Sequence, residues 1–498
     1  MTQSYPPLAR RRLIVLFSMA AAIMNQIDTT IANVALPHMQ GSTSASREQI
    51  AWVLTSYIIA LAIATPLTGW LAGRFGRRRL MLLSIVAFTG TSVLCGLSTN
   101  LDELVLFRLL QGASGSALVP MSQATLLDIY PPEEHGRAMA VFGLAAIFAP
   151  LAGPVLGGWL TDNLSWHWVF LINLPVGLVA FLGLSAVLPD ARDKEPRRFD
   201  LLGFALLALA IGAFQLMMDR GQMLDWFESR EIWLEATIAA VALYLFVVHV
   251  LTTEHPFIRL AIFADRNYVI STLIGFFLGI MIYGVLSLLP PMLSELFDYP
   301  TMTIGIVTAP RGLGTFATTL IAGLFINRIE GRLLVFAGLL LSALSALLLA
   351  RLSLQADDWL IMVSGFVNGM GSSLIFIPLA AMAFATLPAH LRNEGAAFGT
   401  LTRYLGSAVG ISVLQALTYR NEAIVQSRLV EGVRPDNPAV GLHLPGADFT
   451  LPDTLATLQG EIARQALMVS YVDAFWLLFI VGILASPLAF LLRTTKRR

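Results

Sequence analysis

Apolar stretches recur along the whole chain, and short polar segments separate them. Each stretch holds about twenty residues, which is the length that an α-helix needs to cross the hydrocarbon core of a bilayer. The pattern therefore predicts an all-α integral membrane protein. We expect fourteen transmembrane spans, which cover residues 13–37, 50–72, 80–98, 104–128, 138–160, 166–188, 200–219, 232–251, 268–290, 302–326, 333–352, 358–380, 396–418 and 470–492.

The positive charges lie unevenly in the segments between these spans. If the N-terminus is cytoplasmic, most of the 32 Lys and Arg residues fall in cytoplasmic segments, as the positive-inside rule describes. We therefore predict that both termini lie in the cytoplasm, which requires an even number of spans.

Two connecting segments differ from the others, one by its charge and the other by its length. The charged segment 189–199 is predicted to be a cytoplasmic linker between two helical halves. The segment 421–469 lies on the predicted outer side, contains several prolines and ends in an amphipathic pattern. It is either a partly ordered loop or a docking surface for an extracytoplasmic partner.

Composition supports a membrane protein and excludes several other classes. Of the 498 residues, 56% are hydrophobic and 13% are charged, whereas soluble domains contain about 25% charged residues. The net formal charge is zero, which gives no reason to expect a nucleic-acid partner. Cys95 is the only cysteine, and neither Lys194 nor Lys496 follows a glycine. We therefore expect no disulfide framework, no Walker A loop for ATP, no metal site and no cofactor.

Asp28 lies inside the first predicted span, roughly 22 Å along the helix from its cytoplasmic end. A charge at the centre of a bilayer costs at least about 2.5 kcal/mol, so an acid at this depth is a candidate functional residue. The polar residues Asn25, Thr29 and Asn33 share its helix face, and Gln26 extends that face. The stripe either fastens the helix to its neighbours or lines a water-filled cavity in which Asp28 binds a proton. We favour the second interpretation.

Arg108 is the natural electrostatic counterpart of Asp28. It lies in the fourth span, in the same outer half of the membrane as Asp28. A guanidinium stays charged at any physiological pH and needs an acceptor. We expect a pair with Asp28; the alternatives are a side chain that reaches the membrane surface or a pair with Asp102 or Glu103.

The fifth span is rich in residues that shape helices. Gly153 and Gly157 are four residues apart, as are Pro154 and Gly158. This spacing exposes backbone for close helix contacts and weakens the helix where it must bend. It predicts either close packing alone or a hinge or sealing contact between two halves.

A dense basic loop follows the second span. Arg74 and Arg77 lie in it beside Gly76, and Gly69 opens the preceding six-residue sequence, which is similar to 323–328 at the end of the tenth span. The similarity suggests an internal duplication. The basic residues either anchor the topology or, with the turn at Gly76, form part of a gate.

Two further arginines, Arg311 and Arg403, fall within the tenth and thirteenth predicted spans. Because charged side chains in a membrane almost always face the bundle interior or a water-filled cavity, we expect both to face the interior. The sequence suggests no specific partner for either.

Four motifs together resemble the major facilitator superfamily, in particular its fourteen-helix drug:proton antiporters of the EmrB/QacA type. Asp28–Pro37 is similar to the first-helix motif, Leu104–Gly112 to the fourth-helix motif, Gly153–Gly158 to the antiporter motif of the fifth helix, and Trp166–Pro175 to a sequence typical of the group. One departure is Gly73, where the wider superfamily has an acidic residue.

The resemblance implies two six-helix bundles, 13–188 and 268–492, with an inserted helix pair at 200–251. It implies proton-driven export by alternating access, with Asp28 as the proton site and Arg108 in proton coupling. Gln111, in the fourth-helix motif, joins the first-helix polar residues in the expected substrate cavity. The few polar groups of the inserted pair suggest no transport chemistry there.

The same resemblance implies an inner-membrane exporter of amphipathic compounds, aromatic or cationic. Relatives in double-membraned bacteria work with a periplasmic adaptor protein and an outer-membrane channel. Two alternatives stay open at this point: a metabolite or siderophore carrier, perhaps a symporter, and a membrane sensor or scaffold that transports nothing.

Overall fold

A computed structural model describes residues 6–131, 134, 152–189, 200–254, 256–325, 329–388, 391–434 and 451–493. This part of the chain is almost entirely α-helical. Residues 190–199 of the predicted linker, 138–151 of the fifth span and 435–450 of the outer loop lie outside the described residues.

The helices that precede the predicted linker follow the apolar stretches closely. In chain order they are α1 (Leu8–Thr43), α2 (Arg47–Ile50), α3 (Trp52–Ala64), α4 (Leu67–Phe75), α5 (Arg77–Gly96), α6 (Leu101–Gly115), α7 (Leu118–Ile129), the described part of α8 (152–163), α9 (Trp168–Leu171) and α10 (Asn173–Val187). Polar caps begin several of them: the Asn100 side chain, for example, accepts a hydrogen bond from the backbone of Glu103 at the start of α6.

The second part of the chain has longer helices. They are α11 (Leu201–Arg220), α12 (Arg230–Thr252), α13 (Arg266–Leu296), α14 (Thr301–Thr308), α15 (Pro310–Phe325), α16 (Gly331–Leu349), α17 (Asp358–Ala385), α18 (Arg392–Gly432) and α19 (Pro452–Ala485). Pro310 stands at the first position of α15, where its missing N–H costs no helical hydrogen bond. The tenth apolar stretch is therefore divided into two helices.

Eleven described helical segments are long and apolar enough to cross a membrane, and three of them join two consecutive α-helices: α2 with α3, α6 with α7, and α9 with α10. The other three predicted spans are the fifth, which the structure describes only from residue 152, the tenth, which is divided, and the thirteenth, which lies within α18. The all-α, multi-pass architecture is confirmed, and the number fourteen stays a prediction.

The helices pack into two groups that contact each other directly through α3 with α18 and α1 with α13, and a helix pair lies between the groups in the chain. In the first group, which we call the N-bundle, α1 contacts α7 and α10, and α6 contacts α3 and α5. In the second, the C-bundle, α13 contacts α18, and α17 contacts α15 and α16. The pair of α11 and α12 reaches both groups through α11, which contacts α3 and α18.

A carboxylate on α11 joins all three parts of the molecule. The Thr55 hydroxyl of α3 donates a hydrogen bond of 2.8 Å to Asp219 Oδ2, and the Ser412 hydroxyl of α18 donates to Oδ1. Gln215 on the same helix donates to both Asp219 and Ser412, each over 2.8 Å. The inserted pair, although its sequence is mostly apolar, is therefore hydrogen-bonded to α3 of the N-bundle and α18 of the C-bundle. We call this set of hydrogen bonds the Asp219 junction.

The two bundles are closed against each other at one end. We call the end that contains the connection between α1 and α2 the outer end, in accordance with the predicted orientation. There Arg47 of α2 forms ion pairs with Glu295 of α13 (Nε–Oε2, 3.2 Å) and Glu422 of α18 (Nη1–Oε1, 3.3 Å). In the predicted orientation, these ion pairs close the two bundles against each other on the outer side of the membrane.

The glycines of α8 form a second part of the outer closure. A Cβ atom at Gly157 would lie 2.8 Å from the carbonyl oxygen of Ile31 in α1, and one at Gly158 would lie 2.6 Å from that of Thr301 in α14. Only glycine permits such close backbone approach. The motif packs N-bundle helix α8 against α14 of the C-bundle, and a sealing role for this contact stays a prediction.

We predict that Gly158→Ala shifts the protein toward the outward-open state. Overpacking costs about 1–3 kcal/mol, and one or two kcal/mol changes a two-state ratio by about 5- to 30-fold. The readout is the rate at which a membrane-impermeant maleimide labels Ala51→Cys, a buried outer-end position, in a Cys95→Ser background. Gly69→Ala is the matched control, because a Cβ there meets nothing within 4 Å. Equal labelling rates in the two variants would contradict a sealing role for Gly158.

Candidate proton-binding site

Asp28 lies inside the N-bundle and forms an ion pair with Arg108. The Arg108 Nη1 atom donates to Asp28 Oδ2 over 2.6 Å, and the exposed fractions of the two side chains are 0% for Asp28 and 1% for Arg108. Arg108 Nε donates to the Val53 carbonyl oxygen over 3.1 Å. The guanidinium carbon lies 4.0 Å from the ring centroid of Tyr57, a cation–π contact. Both charges are thus neutralised and hydrogen-bonded away from water.

The second oxygen of Asp28 accepts two amide hydrogen bonds. Gln111 Nε2 donates to Oδ1 over 2.8 Å, and Asn173 Nδ2 donates to the same oxygen over 3.0 Å. Both amides also donate to the Ser92 hydroxyl, over 3.0 and 2.9 Å. The Ser92 hydroxyl in turn donates a hydrogen bond to the Phe170 carbonyl oxygen over 2.9 Å. The network therefore ties together helices α1, α5, α6, α9 and α10.

Helix geometry explains why these groups meet. Arg108 and Gln111 are three residues apart on α6, so they share one face, and Arg108 Nη1 also donates to Gln111 Oε1 over 2.8 Å. Asn173 is the first residue of α10. Glu103, an alternative partner for Arg108, instead accepts hydrogen bonds from the backbone and hydroxyl of Thr99.

The donors around Asp28 fit an ionised carboxylate. Three N–H donors, from Arg108, Gln111 and Asn173, point at its two oxygens. A proton on either Asp28 oxygen would take the place of one of these hydrogen bonds. It would also remove the negative charge that balances the Arg108 guanidinium. Leaving one member of a buried ion pair uncompensated costs about 3–5 kcal/mol. The hydrogen bonds thus hold the ion pair in one arrangement.

The residues expected in a substrate cavity occupy several environments. Asn25 is buried and donates to the Tyr57 hydroxyl over 2.9 Å, and Asn33 donates to the Thr29 carbonyl oxygen over 2.8 Å. Thr29 lies beside Tyr283 of α13, at the boundary between the bundles. Of the others, Gln26 is half-buried, and Gln111 lies in the network around Asp28 rather than in a cavity. A substrate role for this set stays a prediction.

Comparison with known proteins identifies the family. A model of the Major Facilitator Superfamily matches residues 18–411. The chain belongs to the major facilitator superfamily. It is 35% identical to the multidrug export protein EmrB of Haemophilus influenzae, covering 95% of this chain and 94% of that protein. It is 34% identical to EmrB of Escherichia coli, covering 92% and 90%, and 34% identical to the fatty acid resistance protein FarB of Neisseria gonorrhoeae, covering 98% and 97%.

Solved structures share the major facilitator fold. A D-xylose–proton symporter matches with a TM-score of 0.66 and 16% identity, covering 97% of this chain and 98% of that one. A bacterial homologue of the lysosomal transporter Spinster, inward-facing and occupied, matches with a TM-score of 0.66 and 17% identity, covering 99% and 100%. The family makes this protein a membrane transporter and not an enzyme.

The basic loop of this major facilitator protein forms a tight turn at the inner end. Gly76 has a φ of 88° and separates α4 from α5. Arg77 forms an ion pair with Asp128 of α7, and the Arg74 guanidinium lies 5.5 Å from the Trp70 ring centroid. The ion pair thus joins α5 to α7 at this end. A gating role for the basic loop stays a prediction.

Asn173 and Ser92 complete the site, although the sequence alone does not single them out. Asn173 lies in the Trp166–Pro175 motif, and the signal that could have found it is an amide at the start of an apolar helix. Ser92 is buried in α5, and a serine in a membrane helix carries no comparable signal, because its hydroxyl can bond to its own helix.

We predict that Asn173→Ala destabilises the protein, because it removes a hydrogen bond to a charged group, worth about 1.5–3 kcal/mol. Thermal unfolding of purified protein in detergent measures the effect. Asn163→Ala is the control, since that exposed side chain donates only to the Trp159 carbonyl oxygen of its own helix. Similar melting temperatures for the two variants would show that Asn173 does not support the buried carboxylate.

Proposed function

We propose that the protein is a proton-coupled multidrug exporter that moves amphipathic compounds across the cytoplasmic membrane by alternating access. The observation that carries this proposal is the fully buried Asp28–Arg108 pair within a two-bundle transporter. The relationship to proteins named as multidrug exporters supports it. The energy source is the proton motive force, and no other cofactor is needed.

The coupling follows from the charge of Asp28. In the inward-facing state the acid is ionised and held by Arg108, so its proton has left toward the cytoplasm. In the outward-open state a proton from outside neutralises Asp28 and frees Arg108 from the pair. Each proton that moves inward releases about 2.3 kcal/mol per 100 mV of membrane potential, in addition to the pH gradient.

The first helix transmits this change to the outer closure. Asp28 and Ile31 are one turn apart on α1, and the Ile31 backbone packs against Gly157 of α8. The Thr30 side chain packs against Gly153 one turn earlier in α8. A movement of α1 on protonation of Asp28 therefore acts directly on the contacts that seal the outer end.

We predict that Asp28→Asn abolishes proton-driven efflux, because an amide cannot exchange a proton at neutral pH. The variant is reconstituted into proteoliposomes with an imposed pH gradient, and efflux of chemically diverse fluorescent compounds is recorded. Asp473→Asn, an exposed acid in α19, is the control and should retain transport. Undiminished gradient-driven efflux by Asp28→Asn would reject this acid as the proton carrier.

We also propose that the protein works in the inner membrane with a periplasmic adaptor protein and an outer-membrane channel, with both termini in the cytoplasm. Helix α18 has 41 residues and α19 has 34, lengths of about 60 and 50 Å, whereas the hydrocarbon core is about 30 Å thick. Their outer segments extend beyond the membrane and expose Val430, Leu451 and Leu455. Exposed apolar residues on a projecting hairpin suit a docking surface.

We predict that Leu455→Glu reduces drug tolerance of cells but leaves transport in proteoliposomes unchanged, because the adaptor is needed only in the two-membrane envelope. Thr457→Glu, which adds the same charge at another exposed position of α19, should affect neither measurement. Normal tolerance of cells that carry Leu455→Glu would contradict docking at this hairpin.

A further inference from the structure

The C-bundle contains two arginines for which proton coupling provides no role. Arg311 lies in α15 and Arg403 in α18, and neither is among the ion pairs of the described residues. Residues 326–328 of the C-bundle lie outside the described part of the chain, and their sequence contains no aspartate or glutamate that could pair with either arginine. Arg108 of the N-bundle, by contrast, forms an ion pair with Asp28. The C-bundle therefore carries positive charge that its own acidic residues do not balance.

Both arginines lie deep in the membrane. Arg311 is ten residues from Thr301 at the outer end, and Arg403 is eleven residues from the inner start of α18 at Arg392. At 1.5 Å per residue both lie about 15 Å from an end, near the middle of a core of about 30 Å. Charges at this depth face a water-filled cavity or a counter-ion. Both residues are only partly buried, so they reach accessible space.

Aromatic rings surround this charge and place it at the boundary between the bundles. The Arg403 guanidinium carbon lies 5.0 Å from the ring centroid of Phe376 and 5.2 Å from that of Tyr404. Tyr283 of α13 is within electrostatic reach of both arginines and lies beside Thr29 of the first helix. Arg403 thus lies against two aromatic rings, and both cations are near Tyr283, at the boundary with the N-bundle.

We propose that Arg311 and Arg403 form the binding site for an amphipathic organic anion, such as a carboxylate attached to an aromatic body. The ligand's acid group supplies the missing countercharge, and guanidinium groups bind carboxylates through paired, charge-assisted hydrogen bonds. The rings of Phe376, Tyr404 and Tyr283 pack against its apolar body. Cationic compounds are disfavoured there by like charge. The proposal rests on the proposed function in that it assigns the substrate class of the same transport cavity.

The first test compares three ligands that share a naphthalene ring and differ in charge. Binding of 1-naphthylacetate, 1-naphthylacetamide and 1-naphthylmethylammonium to the wild-type protein in lipid nanodiscs is measured by calorimetry. The anion should bind at least about tenfold more tightly than the neutral amide, since hydrogen bonds between charged groups exceed neutral ones by that much. Equal affinities, or a preference for the ammonium compound, would overturn the proposal.

The second test assigns the effect to the two arginines. Arg311→Gln and Arg403→Gln should each weaken anion binding about tenfold and leave binding of the neutral amide unchanged. Arg403→Lys should retain part of the preference, and Arg351→Gln, an exposed arginine outside this region, should retain all of it. An equal loss for all three ligands would show a packing role and overturn the assignment. If the glutamine variants do not fold, two measurements still test the proposal: the preference of the wild-type protein for the anion, and the partial retention of that preference in Arg403→Lys.

Failure of this proposal is distinguishable from failure of the proton-coupled function. Equilibrium binding requires no gradient, so a preference for the anion can be present or absent whether or not Asp28 carries a proton. The preference of the wild-type protein for 1-naphthylacetate, measured without a gradient, tests the anion site alone. Gradient-driven efflux by Asp28→Asn tests proton coupling alone.

Discussion

The buried ion pair between Asp28 and Arg108 is the constraint on which the rest of the structure depends. Neither charge is tolerable alone in the low-dielectric interior of a membrane bundle, so each requires the other and the amides around them. The hydrogen bonds of Arg108, Gln111 and Asn173 bring α1, α6 and α10 to fixed positions around one carboxylate. The packing of the N-bundle therefore depends on the charge of this one carboxylate, which is the basis of the proposed proton coupling.

The outer closure and the ion pair are linked through α1. The same helix that presents Asp28 to the N-bundle presents its backbone to the glycines of α8, which in turn approach α14 of the C-bundle. The junction at Asp219 adds the inserted pair to this arrangement, because that carboxylate accepts hydrogen bonds from both bundles. The inserted helices are therefore bonded to both bundles through polar groups and are more than an apolar spacer.

Much of this architecture could be predicted from the sequence, because its signals are local. Apolar stretches of fixed length predict spans, and an acid and an arginine at similar depth predict a pair that the structure contains. The amide partners could not be predicted, since Asn and Gln are tolerated in many positions and only tertiary packing selects Asn173. The role of Asp219 was hidden for a related reason. Its importance lies in contacts with Thr55 and Ser412, which are distant in the chain, and not in the composition of α11.

The most direct test of the central claim is the protonation state of Asp28 in each conformation. Difference infrared spectroscopy detects the carbonyl stretch of a protonated carboxyl group, and Asp28→Asn identifies the band that belongs to this residue. With the protein held in each state by an engineered disulfide, the account predicts a protonated Asp28 in the outward-open form and an ionised one in the inward-open form. An ionised Asp28 in both forms would contradict it.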